Sequence, residues 1–282
     1  MEIHYSTKDK RRGITLPPVN EKLVEETGIH IGDGSMSYQN KGYRLVYAGN
    51  LFEDTSYLQF VRLLLKELYN IDSSIKEIRK STLVYIQIFS KAICTFKNKF
   101  LGLPFGKKSK IVNIPSVFRS DLELAKACIR GIFDTDGGVV FQKQGKYCYP
   151  AVILVNKSKF LVRTLMELLA ELKFTPYVEF DPSTQCSKIW VKGNRQFEKW
   201  FKVIGSSNER NLKKYRWWLD WWGRQDLNSR RSSSHLTPPG FAGLSSTAPM
   251  GHHPSVSRPT IATGACRASQ VTLRPHELTS PA

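Results

Sequence analysis

Cysteine is scarce in this chain, and no two cysteines form a C-x-x-C pair. The five cysteines stand at positions 94, 128, 148, 186 and 266, a spacing that indicates neither a structural zinc site nor a disulfide framework. An intracellular, reducing compartment therefore fits best. Cys94 and Cys128 lie among apolar neighbours, so we expect them to be inert core residues.

Long apolar segments are also missing. The sequence has no uninterrupted run of about 18 apolar residues, which a membrane-spanning helix would need. Its first residues, Met1-Glu2-Ile3-His4, do not form a signal-peptide pattern. We therefore expect a cytoplasmic protein without a membrane partner.

Acidic residues are few relative to basic ones. The 282 residues include 24 Asp and Glu against 42 Lys and Arg, a formal net charge of +18. Such an excess favours a polyanionic partner, because a cationic surface gains affinity when it releases counterions from phosphate. The hydrophobic fraction of 41% excludes a fully disordered chain. Nucleic acid, and hence association with the nucleoid, is the expectation.

The end of the sequence lacks lysine and has almost no aromatic residues. From Arg224 to Ala282 there is no Lys, Phe241 is the only aromatic residue, and seven of the 14 prolines occur there. Such a segment buries too little apolar surface to offset its ordering entropy. We predict a disordered tail at 224–282, after a folded part that divides into residues 1–120 and 121–223.

An internal repeat supports this division. The pairs Asp33-Gly34 and Asp136-Gly137 are 103 residues apart. The same offset relates three further features: Tyr57 to Phe160, Ile86-Gln87-Ile88 to Ile189-Trp190-Val191, and Leu101-Gly102 to Ile204-Gly205. The alternative is a pair of unrelated α+β domains with coincidental spacing. A shared offset over four features favours a duplicated unit.

Each unit has the predicted order helix, two strands, helix, two strands, helix. The apolar residues after each Asp-Gly pair recur every three or four positions, which is typical of a helix with one buried face. In the first half the predicted helices lie at about 19–31, 56–69 and 91–100. In the second half they lie at about 121–134, 157–173 and 195–204. A last basic helix is predicted from Glu209 to about Trp222.

Two nine-residue segments, Glu26–Gly34 and Ile129–Gly137, resemble the motif of the LAGLIDADG homing endonucleases. The second copy matches at Gly131, Asp134, Asp136 and Gly137, which fill the third, sixth, eighth and ninth positions. The first copy keeps Gly28, Asp33 and Gly34 but has Ile31 at the sixth position. The resemblance covers about residues 19–222 and is strongest to archaeal members, in phrases such as Ile204-Gly205-Ser206-Ser207-Asn208.

The resemblance implies an α+β fold with two pseudo-symmetric αββαββα halves. The motif helices would lie at the interface between the halves, and the antiparallel sheets would form a DNA-binding saddle. Gly28 and Gly32, like Gly131 and Thr135, are small residues four positions apart. Glycine inside a helix costs roughly 1 kcal/mol against alanine, so we expect a compensating close contact between the two helices.

Asp33 and Asp136 would then converge where these helices end. Two neighbouring carboxylates repel each other unless a cation lies between them, and ligands with oxygen alone favour Mg²⁺ over zinc. The family adds backbone carbonyls of the preceding residues, here Gly32 and Thr135, around two or three divalent ions. An Asp-Gly pair is also a common turn signal, so each copy alone is weak evidence.

Further catalytic candidates come from the basic residues that family sites place near the metals. At the end of the second strand of each half the sequence offers Gly49-Asn50 and Asn156-Lys157, and only Lys157 is cationic. The end of the fourth strand offers Lys192, with Phe89 at the equivalent position of the first half. Both lysines are equally compatible with a solvated surface.

DNA would be read by alternate residues of the two sheets, which the family presents to the major groove. The candidates in the first half are Ser35, Ser37, Gln39, Lys41, Tyr43, Arg44, Lys76, Arg79, Lys80 and Gln87; those in the second half are Gln142, Lys143, Gln144, Lys146, Tyr147, Lys188 and Trp190. An ordinary polar hairpin surface is the alternative. The loop Gly106-Lys107-Lys108-Ser109-Lys110 joins the halves and either touches phosphate or is simply solvated.

The resemblance implies a monomeric, intron-associated homing endonuclease that makes a Mg²⁺-dependent double-strand cut in a long, asymmetric DNA site. Two alternatives stay open. An RNA maturase that assists intron splicing would have the same fold and the same basic charge. A non-cleaving DNA-binding regulator on this fold would be favoured by loss of a motif aspartate, and both aspartates are present.

Overall fold

The computed structural model describes residues 2–39, 42–144 and 147–233; within these ranges the side chains of residues 39, 143, 144, 147, 148 and 224–233 are not described. The first half contains α1 Thr7–Arg11, α2 Glu21–Gly32, β1 Gly34–Gln39, β2 Gly42–Asn50, α3 Thr55–Tyr69, β3 Ile75–Glu77, β4 Leu83–Phe89 and α4 Lys91–Lys99. A single 3-10 turn, Ser116–Phe118, follows in the segment that joins the halves.

The second half repeats this order. It contains α5 Leu122–Asp136, β5 Gly137–Gln144, β6 Tyr147–Asn156, α6 Lys159–Glu171, β7 Tyr177–Asp181, β8 Cys186–Lys192, α7 Asn194–Val203 and α8 Glu209–Ser233. The predicted order of elements is thereby confirmed in both halves. Helix α1 was not predicted, although Ser6 and Asp9 form a capping box at its start.

Each half has one four-stranded antiparallel sheet with the same topology. The strand order is β1-β2-β4-β3 in the first sheet and β5-β6-β8-β7 in the second. Val46 pairs with Gln87, and Ile153 pairs with Trp190, so Gln87 and Trp190 hold equivalent positions, as the repeat predicts. The α+β fold with two antiparallel sheets is confirmed.

The constant offset between the halves conceals two length differences. Gly34 pairs with Tyr47, whereas Gly137 pairs with Leu154, so the β5–β6 hairpin is longer than the β1–β2 hairpin. The connection from strand to helix is in turn longer in the first half, where it joins Asn50 to Thr55. Because the two differences nearly cancel, the features downstream stay close to the same offset.

Helices α2 and α5 begin at polar caps and form the centre of the molecule. The side chain of Asn20 accepts a hydrogen bond of 2.9 Å from the backbone N–H of Leu23. The side chain of Asp121 accepts one of 2.8 Å from the backbone N–H of Glu123. These caps satisfy amide groups that lack partners within the first turn. Both helices are buried along most of their length.

The contact between α2 and α5 requires glycine. A Cβ atom on Gly28 would overlap the backbone carbonyl oxygen of Cys128. A Cβ atom on Gly131 would overlap the carbonyl oxygen of Glu25 and lie 2.7 Å from the backbone nitrogen of Ile29. The expected close approach of the motif helices is therefore present, and the same glycine of each copy makes it.

A buried ion pair lies in the first half. Lys97 of α4 contacts Glu26 of α2, and both side chains are fully buried. Glu26 also accepts hydrogen bonds from the hydroxyl groups of Tyr47 and Tyr69, the latter at 3.0 Å. Each charge is thus paired and hydrogen-bonded, which a buried ion pair requires if it is not to destabilise the fold.

Aromatic side chains fill the core of the second half. The Trp200 ring packs against Phe133 and Phe174, with ring centroids 5.0 and 5.6 Å apart. Trp218 of α8 packs against Phe197, with centroids 5.1 Å apart. These contacts attach α7 to the motif helix and α8 to α7, so α8 is an integral part of the second half.

Helix α8 also corrects the predicted boundary of the tail. It continues to Ser233 instead of ending near Trp222, so residues 224–233 are helical where disorder was predicted. The segment Arg224–Ser233 contains neither Pro nor Gly, and its Arg, Gln and Leu residues are compatible with a continuing helix. Residues 234–282 lie outside the described part, and their disorder stays a prediction.

Cys94 and Cys128 are free and buried, and burial raises the pKa of both thiols, that of Cys94 to about 12, so their expected inertness is supported. None of the helices in the described ranges combines the length and the apolar character that a membrane span requires.

Candidate metal centre and nucleic-acid interface

The two motif aspartates lie where the central helices end. Asp33 caps the C-terminus of α2, and Asp136 is the last residue of α5. A Cβ atom on Gly32 would lie 2.6 Å from Cβ of Thr135 and 3.5 Å from the carboxyl carbon of Asp136. The Asp136 carboxyl group therefore packs directly against the residue that precedes Asp33. The helix ends bring the two acids together, as the motif predicts.

Burial makes this pair of carboxyl groups electrostatically unfavourable. It raises the pKa of Asp33 to about 8, with further upward contributions from the charges of Asp136 and Asp54 and opposing contributions from Lys108 and Arg210. Burial also raises the pKa of Asp136 to about 6, although Lys108 and a hydrogen bond from Asn156 lower it. A site that holds two such acids stabilises a cation placed between them.

The side chain of Lys108 supplies a cation within this site. Its ammonium group donates hydrogen bonds to the backbone carbonyl oxygens of His30, Ile31 and Gly32, the first at 2.6 Å. Burial lowers the pKa of Lys108 to about 8, against opposing contributions from Asp136 and Asp33. The linker residue thus covers the C-terminal end of α2, where the carbonyls of the last turn carry negative partial charge.

In the second half, the neighbour of the motif aspartate is Asn156. Its side-chain amide donates a hydrogen bond of 2.9 Å to Asp136, and its side-chain oxygen accepts one of 2.9 Å from the backbone N–H of Ser158. Lys157, the predicted catalytic residue, directly follows and is half-buried. Its position next to Asn156 keeps it near the site, and its catalytic role stays a prediction.

In the first half, the neighbour of the motif aspartate Asp33 is another acid, Asp54. The Asn50 side chain accepts hydrogen bonds from the backbone N–H groups of Phe52 and Glu53, so it stabilises a turn. Asp54 lies close enough to Asp33 to raise its pKa. Arg210 of α8 donates a hydrogen bond of 3.2 Å to Asp54. A basic residue from the second half therefore compensates the additional acid of the first half.

The structure separates Lys192 from the acidic pair. Strand β8 runs antiparallel to β6, with Ser187 opposite Asn156 and Lys192 opposite Ala151. The start of β8, and not its end, is therefore beside Asp136. At about 3.3 Å per residue, Lys192 lies far along the strand from the acid. Its ammonium group instead packs over the rings of Trp190 and Tyr177, 4.8 and 5.0 Å from their centroids.

The surroundings of Asp134, at the sixth motif position, indicate that it stabilises the fold. It is buried and accepts hydrogen bonds from the hydroxyl of Ser206, the backbone N–H of Ser207 at 2.6 Å and the side chain of Asn211 at 3.2 Å. Burial raises its pKa to about 7 despite these hydrogen bonds. The segment noted in the sequence at Ser206–Asn208 thus attaches α8 to the motif helix.

The open face of the first sheet carries several of the predicted DNA-binding residues. Met36, Leu45 and Ile86 belong to the core, so the alternate strand positions lie on the opposite face. Cross-strand pairing shows which candidates share that face: Ser37 pairs with Arg44, Ser35 with Val46, Val46 with Gln87, and Lys76 with Tyr85. Ser35, Ser37, Arg44, Lys76 and Gln87 therefore form one polar surface.

Two groups of candidates in the first half lie elsewhere. Tyr43 pairs with Tyr38 on the other face and packs against Phe105, with ring centroids 6.0 Å apart. Because both residues are polar, the sequence predicts the DNA-binding face for Tyr43 as well as for Arg44. Adjacent strand residues lie on opposite faces, so only Arg44 lies there. Arg79 and Lys80 lie in the β3–β4 turn, where they are exposed. Lys41 is outside the described residues, as is the side chain of Gln39.

The open face of the second sheet is different in composition. Gln142 lies in β5, and Lys188 and Trp190 are alternate residues of β8 on the face opposite Ile189 and Val191 of the core. Trp190 is nevertheless buried, so its predicted exposure to DNA is wrong. Both β8 candidates already contact acids: Lys188 lies 2.8 Å from Asp181, and the Trp190 indole N–H donates to Glu179 at 3.1 Å. Lys146 lies outside the described residues, as do the side chains of Lys143, Gln144 and Tyr147.

Four residues of the site were missed in the sequence. Lys108 belongs to a charge run that is equally typical of a solvated loop. Asp54 and Arg210 lie 156 positions apart, and no periodicity connects them. Asn156 stood in the dipeptide Asn156-Lys157, but the basic residue was chosen over the amide because family sites carry cations. The position of Asn156, a polar residue at the end of β6, was the sequence feature that could have indicated its contact with Asp136.

Comparison with known proteins identifies the fold. Residues 123–215 match the LAGLIDADG-like domain, and no curated protein has a sequence that matches this chain. The homing endonuclease I-WcaI bound to its DNA recognition sequence is 17% identical, with a TM-score of 0.51 over 73% of this chain and 90% of that chain.

Two further solved structures are similar. I-LtrWI, a LAGLIDADG homing endonuclease bound to target DNA, is 14% identical, with a TM-score of 0.50 over 77% of this chain and 94% of that chain. I-DmoI in complex with DNA and Mn is 21% identical, with a TM-score of 0.45 over 67% of this chain and 99% of that chain. Residues 123–215 therefore form a LAGLIDADG-like domain, and the described part of the chain has the two-domain fold of the LAGLIDADG homing endonucleases.

Proposed function

We propose that this chain is a site-specific homing endonuclease that makes a metal-dependent double-strand cut in a long, asymmetric DNA target. The observation that carries the proposal is the meeting of Asp33 and Asp136 at the ends of two closely packed helices, between two sheets. One chain supplies both acids and both sheets, so the proposed enzyme works as a monomer. We place it in the cytoplasm, in association with the nucleoid.

The residues present fit divalent metal. Asp33 and Asp136 are acids whose pKa values are raised chiefly by burial, and the carbonyls of Gly32 and Thr135 belong to the same helix ends. These two acids alone do not complete a metal site: within the described residues, no group of three or more His, Cys, Asp or Glu side chains is arranged to hold a metal ion. Backbone carbonyls would therefore have to supply further ligands. Hard oxygen ligands of this kind favour Mg²⁺, and we propose two or three ions completed by water and phosphate.

The chemistry follows from this ligand set. Bound divalent ions would polarise the scissile phosphate, lower the pKa of an attacking water and stabilise the leaving oxygen. The chain's own contribution is orientation: Asn156 fixes one carboxylate oxygen of Asp136, and Arg210 neutralises Asp54 beside Asp33. Lys157 is the remaining basic candidate for contact with the phosphate. One aspartate for each strand suits an enzyme that makes two cuts.

The asymmetry of the proposed target rests on the two unlike sheets. The open face of the first sheet carries Ser35, Ser37, Arg44 and Gln87 in register, while that of the second carries Gln142 and Lys188. Arg pairs well with guanine and Gln with adenine in the major groove. Two surfaces with different donors and acceptors read different half-sites, so the expected target has no twofold symmetry.

Cleavage of a plasmid library with randomised or genomic inserts tests the proposal. We expect linearisation at one site with Mg²⁺, none with EDTA, and loss of linear product for Asp33→Ala and for Asp136→Ala. Asp72→Ala is the matched control, because Asp72 is exposed and pairs only with Lys66 at the surface. DNA binding without cutting in any divalent metal would overturn the proposal and favour a regulator. Selective binding of structured RNA would instead favour a maturase.

A further inference from the structure

Lys108 lies in the segment that joins the two halves, yet its side chain reaches the centre of the molecule. Its ammonium group contacts three consecutive carbonyl oxygens, those of His30, Ile31 and Gly32. The last of these belongs to a residue that we assign to the metal site. The ammonium group therefore lies at the end of α2 that Asp33 caps.

The backbone around Lys108 is fixed to both halves. The N–H of Gly106 donates to the carbonyl of Met36 in β1 at 2.8 Å. On the other side, the hydroxyl of Ser158, which caps α6, donates to the carbonyl of Val112 at 2.6 Å. The carbonyl of Lys108 itself accepts from Ile111 at 3.0 Å and Val112 at 2.9 Å. The position of the ammonium group is therefore set by an ordered loop.

Lys107, the preceding residue, provides a contrast within the same loop. Its side chain is exposed, whereas that of Lys108 is half-buried. A buried ammonium group loses hydration, and this loss is offset only where acids and carbonyl oxygens replace the water. Three carbonyl oxygens at the C-terminal end of α2 provide that environment for Lys108. The contact is thus specific to one lysine of the run.

We propose that Lys108 is an internal cation of the Asp33–Asp136 pair, and that a divalent metal must displace it from the Gly32 carbonyl in order to bind. The inference rests on the proposed function, since it takes Gly32, Asp33 and Asp136 as the metal site. If the Gly32 carbonyl oxygen bound a divalent ion while it accepted a hydrogen bond from the Lys108 ammonium group, the two cations would lie only a few ångströms apart. Two cations at a few ångströms repel each other strongly where water is excluded.

Two consequences follow from displacement. In the metal-free protein, Lys108 stabilises the acidic pair and closes the end of α2. When metal binds, the Lys108 side chain withdraws and the loop at 106–112 loses one of its attachments. Lys108 therefore weakens metal binding to the free protein while it stabilises the metal-free state.

Isothermal titration of Mn²⁺ into the full chain without DNA tests this inference. Lys108→Met keeps the length of the side chain and removes the charge, and Lys107→Met is the control in the same loop. We expect Lys108→Met to bind Mn²⁺ about 10-fold more tightly than the wild type, which is about 1.4 kcal/mol, and Lys107→Met to match the wild type. Equal or weaker binding by Lys108→Met, or no binding at all, would overturn the inference.

Hydrogen exchange provides a second readout that does not depend on affinity. We expect saturating Mn²⁺ to increase amide exchange at residues 106–112 of the wild type and to leave the exchange of Lys108→Met nearly unchanged. A loop that becomes more protected in the wild type would contradict displacement. Loss of plasmid cleavage by Lys108→Met with unchanged Mn²⁺ affinity would show that Lys108 acts on DNA, which overturns the inference and leaves the proposed function intact.

Discussion

Asn156 donates a 2.9 Å hydrogen bond from its side-chain amide to Asp136, whereas the equivalent acid of the first half, Asp33, has the carboxyl group of Asp54 as a neighbour. We expect Asn156→Asp to lower the free energy of unfolding in EDTA at pH 8 by about 2 kcal/mol, because a donor is lost and a charge is added beside a buried acid. Urea unfolding measures this change.

A double substitution is the control for this prediction. Asp136→Asn combined with Asn156→Asp exchanges the donor and the acceptor, so it should recover most of the lost stability while cleavage stays absent. A single variant as stable as the wild type in EDTA would show that the hydrogen bond does not orient Asp136.

The close contact of α2 and α5 gives a second prediction. Gly28→Ala should destabilise the protein by about 3 kcal/mol, because its Cβ overlaps the backbone carbonyl of Cys128 and the backbone cannot give way cheaply. This loss outweighs the gain in helix propensity of roughly 1 kcal/mol. Thermal unfolding tests it against Gly138→Ala, a strand glycine whose Cβ would have its nearest neighbour at 3.9 Å. Equal melting temperatures for the two variants would contradict the prediction.

The sequence predicted the fold well because two copies of one pattern constrain each other. The glycines, the motif aspartates and the strand positions of Gln87 and Trp190 all recur at one offset, and the structure places them at equivalent positions. The site was harder to predict, because its remaining members depend on tertiary geometry. Lys192 was assigned from the end of β8, although an antiparallel strand brings its start to the acid.

Long-range contacts explain the other omissions. Lys108 reaches the motif through a loop whose course no periodicity encodes, and Arg210 meets Asp54 only because α8 packs onto the second half and faces the first. Local sequence patterns specify which face of a helix or strand is buried. They do not specify which distant side chain completes a polar site.

The buried Lys97–Glu26 pair gives a third prediction. Lys97→Met should lower the free energy of unfolding by about 3 kcal/mol, because it leaves the Glu26 carboxylate buried without its counter-ion. The double variant Glu26→Gln with Lys97→Met should be more stable than the single variant, since the charge is removed and a side-chain acceptor for the Tyr47 or Tyr69 hydroxyl is kept. Urea unfolding of the wild type, Lys97→Met and the double variant measures these differences. A double variant less stable than Lys97→Met would count against the prediction.

The open face of the first sheet gives a fourth prediction. Arg44→Ala should weaken binding to duplex DNA about 10-fold at low salt and reduce the slope of log K against log salt by about 1, as expected for one lost phosphate or base contact. Fluorescence anisotropy over a range of salt concentrations measures both values. Arg163→Ala is the control, because Arg163 is exposed on α6 and pairs with Glu167. If both variants bind like the wild type, this face does not contact DNA.

Asp9 gives a prediction for acid stability. Its carboxylate is buried and accepts hydrogen bonds from the backbone N–H groups of Lys91 and Ala92, both at 3.1 Å, at the start of α4. Burial would raise the pKa of Asp9, but hydrogen bonds from Ser90, Ser6 and Ala92 outweigh it and hold the pKa below the ordinary value of 3.8. The ionised form is therefore the one that stabilises the fold.

The sign of the pH dependence follows from this lowered pKa. The contribution of Asp9 is fully present above about pH 4, where the unfolded chain is ionised, and is lost as the pH falls through the folded-state pKa. Asp9→Asn should thus cost about 2 kcal/mol at pH 7, and the difference from the wild type should shrink as the pH falls below 3.8. Urea unfolding at pH 7 and at pH 3 measures it, with Asp72→Asn as the exposed control. A difference that grows at acidic pH would contradict this prediction. It would mean that the neutral carboxyl group of Asp9 is the stabilising form, and that Asp9 does not cap α4 as a carboxylate that accepts two hydrogen bonds.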